Sequence, residues 1–68
     1  MEQKNPIQVA GRLFQALELL ADTGSIGLMD LSATLSLNKT TAHRVLNSLI
    51  YMGYAKQDPA TGKYEPTF

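Results

Sequence analysis

The stretch NKTTAHRVLNSL, Asn38 to Leu49, gathers hydrogen-bonding and cationic side chains without a single acid. Helical spacing puts Ala42, Val45, Leu46 and Leu49 on one side and leaves Thr40, Thr41, His43, Arg44, Asn47 and Ser48 on the outer faces. Acids are the usual choice near a helix N-terminus, because they complement the positive end of the macrodipole. A start rich in Lys39, hydroxyls and Arg44 instead suits an anion brought from outside, met by free backbone N–H groups. Arg44 carries the planar fork that matches a guanine edge or a phosphate, and Asn47 the amide that pairs with adenine. That chemistry is nucleic-acid recognition.

Each of these residues also has a plainer reading. Ser48 and the threonines suit a solvated helix surface, and His43 an ordinary exposed polar position. Arg44 could pair with an acid of the preceding helix, such as Asp30. Lys56 and Lys63 could protect the edge of a hairpin from pairing with another chain. The face weighs more as a unit than any member of it.

Bulk properties narrow the field. With 68 residues and a hydrophobic fraction of 44%, the chain suits one small globular domain rather than a disordered segment. It has no cysteine and one histidine, so neither a disulfide nor a thiolate metal site is available, and no metal or cofactor is expected. No apolar run approaches the ~20 residues of a membrane span, and no signal-peptide core opens the chain. An intracellular, cytoplasmic domain is expected.

The formal net charge is zero, but the charges are not evenly spread. Residues 1–37 set Lys4 and Arg12 against Glu2, Glu18, Asp22 and Asp30. Residues 38–68 set Lys39, Arg44, Lys56 and Lys63 against Asp58 and Glu65. One end of a neutral molecule is cationic.

The elements that would position this face follow from periodicity. MEQKNP, residues 1–6, is polar and ends in Asn-Pro, and it reads as a flexible N-terminal arm ahead of a domain over 7–68. From about Ile7 to Ala21, Val9, Leu13, Phe14, Ala16, Leu17 and Leu20 recur at helical spacing, with Leu19 and Ala10 off that stripe. Gly24 suits a left-handed stop. SIGL is long enough only for a one-bridge strand. Leu28, Leu31 and Leu35 then define a short helix from about Met29 to Ser36, and Asn38 is a strong N-cap for the next, which Gly53 ends. YAKQD and KYEPT, around PATG, read as a hairpin with Tyr54 and Tyr64 as strand formers, Gly62 at positive φ and Pro66 at an edge or past the strand. The fold class is therefore mainly α with a small β-hairpin: a winged helix-turn-helix of three helices plus a wing, with the third helix as the groove-reading one.

GRLFQALELLA and LMDLSATLSLNKTTAHRVLNSLIYMGYAKQDPATGKY together resemble the N-terminal DNA-binding domain of the IclR family of bacterial transcription regulators. The most telling part is LNKTTAHRVLNSLIYMGY, and Arg12 matches a recurrent arginine of the first helix. Ser36 stands where many relatives have Gly, Ala42 where Val is common, and Asn38 where Pro or Ser is frequent. These departures are physically mild: Ser36 can occupy the turn if its φ stays negative, and Asn38 caps a helix well. Relatives continue into a C-terminal effector-binding and oligomerising domain, which this chain lacks, so a small-molecule effector would act only through that domain. The resemblance also implies a homodimer through the first helix. Leu13, Leu17 and Leu20 on one side, and Leu19 with Ala10 or Ala16 on another, exceed what one core face needs.

Two classes of function compete. The first is sequence-specific binding of double-stranded operator DNA through Lys39, Thr40, Thr41, His43, Arg44 and Asn47 on the helix, with Lys56 and Lys63 on the wing. The second is a winged-helix protein-interaction module, which the polar, cation-bearing face disfavours. An enzyme is not expected, since the chain carries no paired-carboxylate, Cys/His or glycine-rich phosphate signature.

Overall fold

Three helices and a hairpin follow one another: α1 over Pro6–Thr23, α2 over Leu28–Thr34, α3 over Lys39–Tyr51, β1 over Ala55–Gln57 and β2 over Tyr64–Pro66. The computed structural model describes residues 6–68, with side chains from Gln8 onward. Residues 1–5 of the expected arm lie outside the described residues. Its boundary at Pro6 is corrected, because α1 already includes this residue. Proline suits the first helical turn, where a backbone N–H would have no intrahelical partner. The architecture is the expected winged helix-turn-helix.

One core joins all the elements. Ala16 and Leu20 of α1, Leu31 of α2, Ala42, Val45, Leu46 and Leu49 of α3, Ala55 of β1 and Tyr64 of β2 are buried together with Ile26. Leu28 and Leu35 pack against this cluster as partly buried neighbours, as the shared α2 face required. Ile26 forms an isolated antiparallel bridge with Tyr64, with Ile26 N–H donating to Tyr64 O at 2.9 Å and Tyr64 N–H to Ile26 O at 2.8 Å. The segment before α2 is thereby tied to the wing.

The first helix departs from the expected stripe. Phe14 is 63% exposed, and Val9 is exposed too, while Leu13, Leu17 and Leu19 pack against the core only in part. Ala16 and Leu20 share the buried face, and Phe14 falls outside it. Ala10, Phe14 and Leu17 instead line a second, mostly apolar furrow with Leu13, Leu49, Met52 and Tyr54. Ala16, expected as one possible outward residue, belongs to the core.

α2 and α3 end in the same hydrogen-bonded motif with different residues at its left-handed position. After α3, Gly53 at φ 85° donates to Ile50 O, and Tyr54 N–H reaches back to Leu49 O at 2.9 Å. After α2, Ser36 N–H donates to Ala33 O and Leu37 N–H to Ser32 O, also at 2.9 Å. This pairing of the last helical carbonyls is the Schellman arrangement. Ser36 has φ 56°, so it occupies the turn without the negative φ set as the condition for serine there. The turn geometry demands the left-handed conformation whichever residue stands there. The Ser32 hydroxyl donates to Leu37 O and closes the turn further.

The wing is a two-stranded antiparallel hairpin in the register Ala55↔Pro66, Lys56↔Glu65, Gln57↔Tyr64. Tyr64 is in the strand as expected, whereas Tyr54 precedes β1, and Pro66 ends β2. The loop is closed by Asp58 N–H to Lys63 O at 2.8 Å and by Gly62 N–H to Asp58 O at 2.7 Å. The Asp58 carboxylate accepts from Ala60 N–H. Gly62 takes the expected positive φ. Among the described residues, no helix is long and apolar enough to cross a membrane.

Candidate nucleic-acid interface

The start of α3 is set by Asn38. Its backbone is extended, and its side-chain oxygen accepts the Thr41 N–H at 2.7 Å. This cap satisfies one donor of the first turn, and no acid stands in that turn. Burial of Ala42, Val45, Leu46 and Leu49 fixes the rotation of the helix about its axis. Lys39, Thr40, His43, Arg44, Asn47 and Ser48 are consequently exposed. Thr41, expected fully outward, is half-buried because it faces α1.

The outward face divides between two neighbours. On the α2 side, Lys39, Thr40 and His43 border a shallow depression with Leu28. On the α1 side, Thr41, Arg44, Val45 and Ser48 line a cleft of about 170 Å³ with Val9, Arg12 and Leu13. Arg12 and Arg44 therefore line one cleft, together with Thr41 and Ser48. Two guanidinium groups with adjacent hydroxyls are an arrangement that holds a phosphate. Arg44 makes no ion pair with Asp30, which settles that alternative. Asn47 Nδ2 lies 3.4 Å from His43 Nδ1, one turn apart on the exposed surface.

Among the described residues the one ion pair joins Lys56 Nζ and Glu65 Oε1 at 4.0 Å, across the hairpin. Lys63 is exposed just before β2, without a carboxylate partner among the described residues. Lys56 and Lys63, grouped together in the sequence, thus differ in the charge that each presents.

Two positions escaped the residue-by-residue reading. Arg12 was visible only as a match in α1; its place beside Arg44 depends on how two helices pack. Tyr51 is 92% exposed at the end of α3, one turn beyond Asn47. The helical phase that placed Asn47 outward also places Tyr51 there, so the signal was present in the spacing.

The fold and this geometry agree with relationships to known proteins. The model of the IclR helix-turn-helix domain matches residues 9–59. The chain belongs to the IclR family. Similar relatives include the glycerol operon regulatory protein of Streptomyces griseus, 43% identical over 60 residues that cover 87% of this chain and 24% of that protein. The HTH-type transcriptional regulator XynR of Escherichia coli K12 is 36% identical over 59 residues, covering 85% of this chain and 23% of that protein. The IclR-family chain thus spans about a quarter of the length of these relatives.

Solved structures share the fold. A crystal structure of an IclR family transcriptional regulator from Brucella abortus superimposes with a TM-score of 0.80 at 24% identity, over 88% of this chain and 23% of that one. Pseudomonas aeruginosa HmgR superimposes with a TM-score of 0.71 at 28% identity, over 88% of this chain and 24% of that one. The IclR helix-turn-helix model and these regulators support a DNA-binding domain of a transcription regulator, and no enzyme stands among the relatives named.

Proposed function

We propose that this IclR-family domain binds double-stranded operator DNA sequence-specifically, with α3 in the major groove and the wing on the flanking backbone or minor groove. The observation that carries the reading is the outward face of α3. Its exposed residues are cationic or hydrogen-bonding and none is acidic, from Lys39 to Ser48. In that placement Lys39, Thr40 and Thr41 meet phosphate at the helix start, and Arg44, Asn47 and His43 face base edges. Arg12, across the cleft from Arg44, meets the neighbouring phosphate. Lys63, and Lys56 once released from Glu65, reach the flanking backbone.

We place the protein in the bacterial cytoplasm, as a dimer through α1. Ala10, Phe14 and Leu17 recur at the spacing of a helix-packing seam, and Met52 and Tyr54 extend the same apolar furrow. A dimer would read two half-sites, where one protomer reads too few base pairs to be selective. Control by a small-molecule effector falls to a C-terminal domain of the kind that the resemblance implies, outside residues 7–68.

Selection from random duplexes followed by a salt titration tests this reading. About three phosphate contacts from each of two protomers give a log–log slope of roughly −5. A slope near zero would replace DNA binding with a protein-interaction role. A clear slope with one protomer per site would keep DNA binding and remove the dimer.

A further inference from the structure

We propose that His43 is a positioning residue that fixes the amide of Asn47, so that the two side chains read DNA as one unit with adenine opposite Asn47. The inference rests on the reading of α3 as the groove-reading helix. Its starting point is the 3.4 Å approach of Asn47 Nδ2 to His43 Nδ1. The residues stand four apart on α3, and both are exposed. That spacing brings side chains into register on a helix surface.

Donor and acceptor accounting gives the contact its meaning. Nδ1 accepts from an amide N–H only when the ring hydrogen sits on Nε2. His43 then turns a single donor, Nε2–H, toward the groove. Asn47 keeps its Oδ1 acceptor and its second N–H. That pair of groups is the complement of adenine, whose N6–H donates and whose N7 accepts in the major groove. The Nε2–H of His43 suits an acceptor on a neighbouring base pair, a purine N7, guanine O6 or thymine O4.

Without the imidazole, the amide loses its orientation. The terminal torsion of asparagine is broad and roughly two-fold, so an untethered Asn47 can turn either its oxygen or its nitrogen to the bases. The oxygen alone accepts from adenine or cytosine, and the nitrogen alone donates to adenine, guanine or thymine, so neither singles out adenine. Asn47 supplies the contact, and His43 makes it selective.

Selection from random duplexes with the 68-residue chain, repeated for His43→Ala, His43→Gln, Asn47→Ala and the double variant, tests the coupling. In the parent, one position is adenine. Asn47→Ala removes that preference, and His43→Ala lowers it by about tenfold at the same position, a factor within the reach of one bidentate contact. His43→Gln restores it, because the glutamine oxygen accepts from Asn47 Nδ2. At that position the double variant matches Asn47→Ala. Adenine preference undiminished in His43→Ala, or independent multiplicative effects of the two changes, overturns the proposal while leaving DNA binding intact. A parent that selects no sequence overturns the DNA-reading assignment and this inference with it. Because both positions are exposed, unchanged melting temperatures accompany the expected result, and lowered ones would mark a structural role instead.

Discussion

Lys56 and Glu65 face each other across the hairpin, with their charged groups 4.0 Å apart. The pair is a register partnership on the outer side of the wing, opposite the face that buries Ala55 and Tyr64. Such a surface pair contributes at most about 1 kcal/mol to stability. Its larger consequence is electrostatic, because Glu65 offsets a cation that would otherwise be offered to phosphate. Glu65→Gln is expected to bind duplex DNA several-fold more tightly and to steepen the log–log salt slope by about one unit per protomer, with stability nearly unchanged. Parallel salt titrations of parent and variant measure this. An unchanged slope would show that the wing cation stays away from the backbone.

The shared helix-ending motif gives a stability prediction. Gly53 occupies its left-handed position without a Cβ, whereas Ser36 does so with one. A left-handed conformation costs a side-chain-bearing residue roughly 1–2 kcal/mol, and glycine's extra chain entropy offsets about half of that. Ser36→Gly should therefore stabilise the domain by about 0.5–1 kcal/mol, and Gly53→Ala should destabilise it by a similar amount. Denaturant midpoints of both variants check the pair of signs. A loss of stability in Ser36→Gly would mean that the serine side chain contributes more to the turn than its backbone costs.

Leu46 is fully buried at the centre of the core. Leu46→Ala is expected to cost about 2–5 kcal/mol, against the roughly 5 kcal/mol available to a domain of this size. Thermal unfolding followed by circular dichroism measures the loss. An unchanged melting temperature would place the α3 face in a different rotation and remove Arg44 and Asn47 from the reading surface.

The order of elements was legible in the sequence because periodicity and stop residues agree. Asn38 caps α3 as its type implied, and Ala42, Val45, Leu46 and Leu49 are buried as their spacing implied. The positive φ of Ser36 is not legible in its residue type, because it is set by the hydrogen-bonded motif that ends α2. Phe14 was misjudged because periodicity counts apolar residues without knowing where the core stops. The Arg12–Arg44 cleft and the Lys56–Glu65 pair depend on tertiary packing and strand register, and no local pattern carries either.

Phe14 tests the dimer. Placing a charge at the middle of the exposed α1 furrow should abolish pairing and leave the monomer folded, since the side chain is outside the core. Phe14→Glu is expected to sediment as a monomer at concentrations where the parent is dimeric, and to lose affinity for a two-half-site duplex more than for a single half-site. If parent and variant sediment alike, the furrow is not the pairing surface.

Arg12 and Arg44 close the argument because they carry different information from the same cleft. In the proposed placement the fork of Arg44 on α3 reaches a base edge, and Arg44→Ala should cost roughly 1–3 kcal/mol of specific affinity and relax selectivity at one position. Arg12 approaches from α1 and meets only backbone, so Arg12→Ala should weaken binding about equally across sequences and reduce the salt slope by about one unit per protomer. The two residues line one cleft, so their contributions should couple and the double variant should depart from the sum of the single losses. Affinities for the selected duplex and for a scrambled one, measured for the parent and the three variants, separate these roles. Equal losses of selectivity from both arginines would place Arg12 at the bases as well. Strictly additive losses would show that the two arginines act independently across the cleft between α1 and α3.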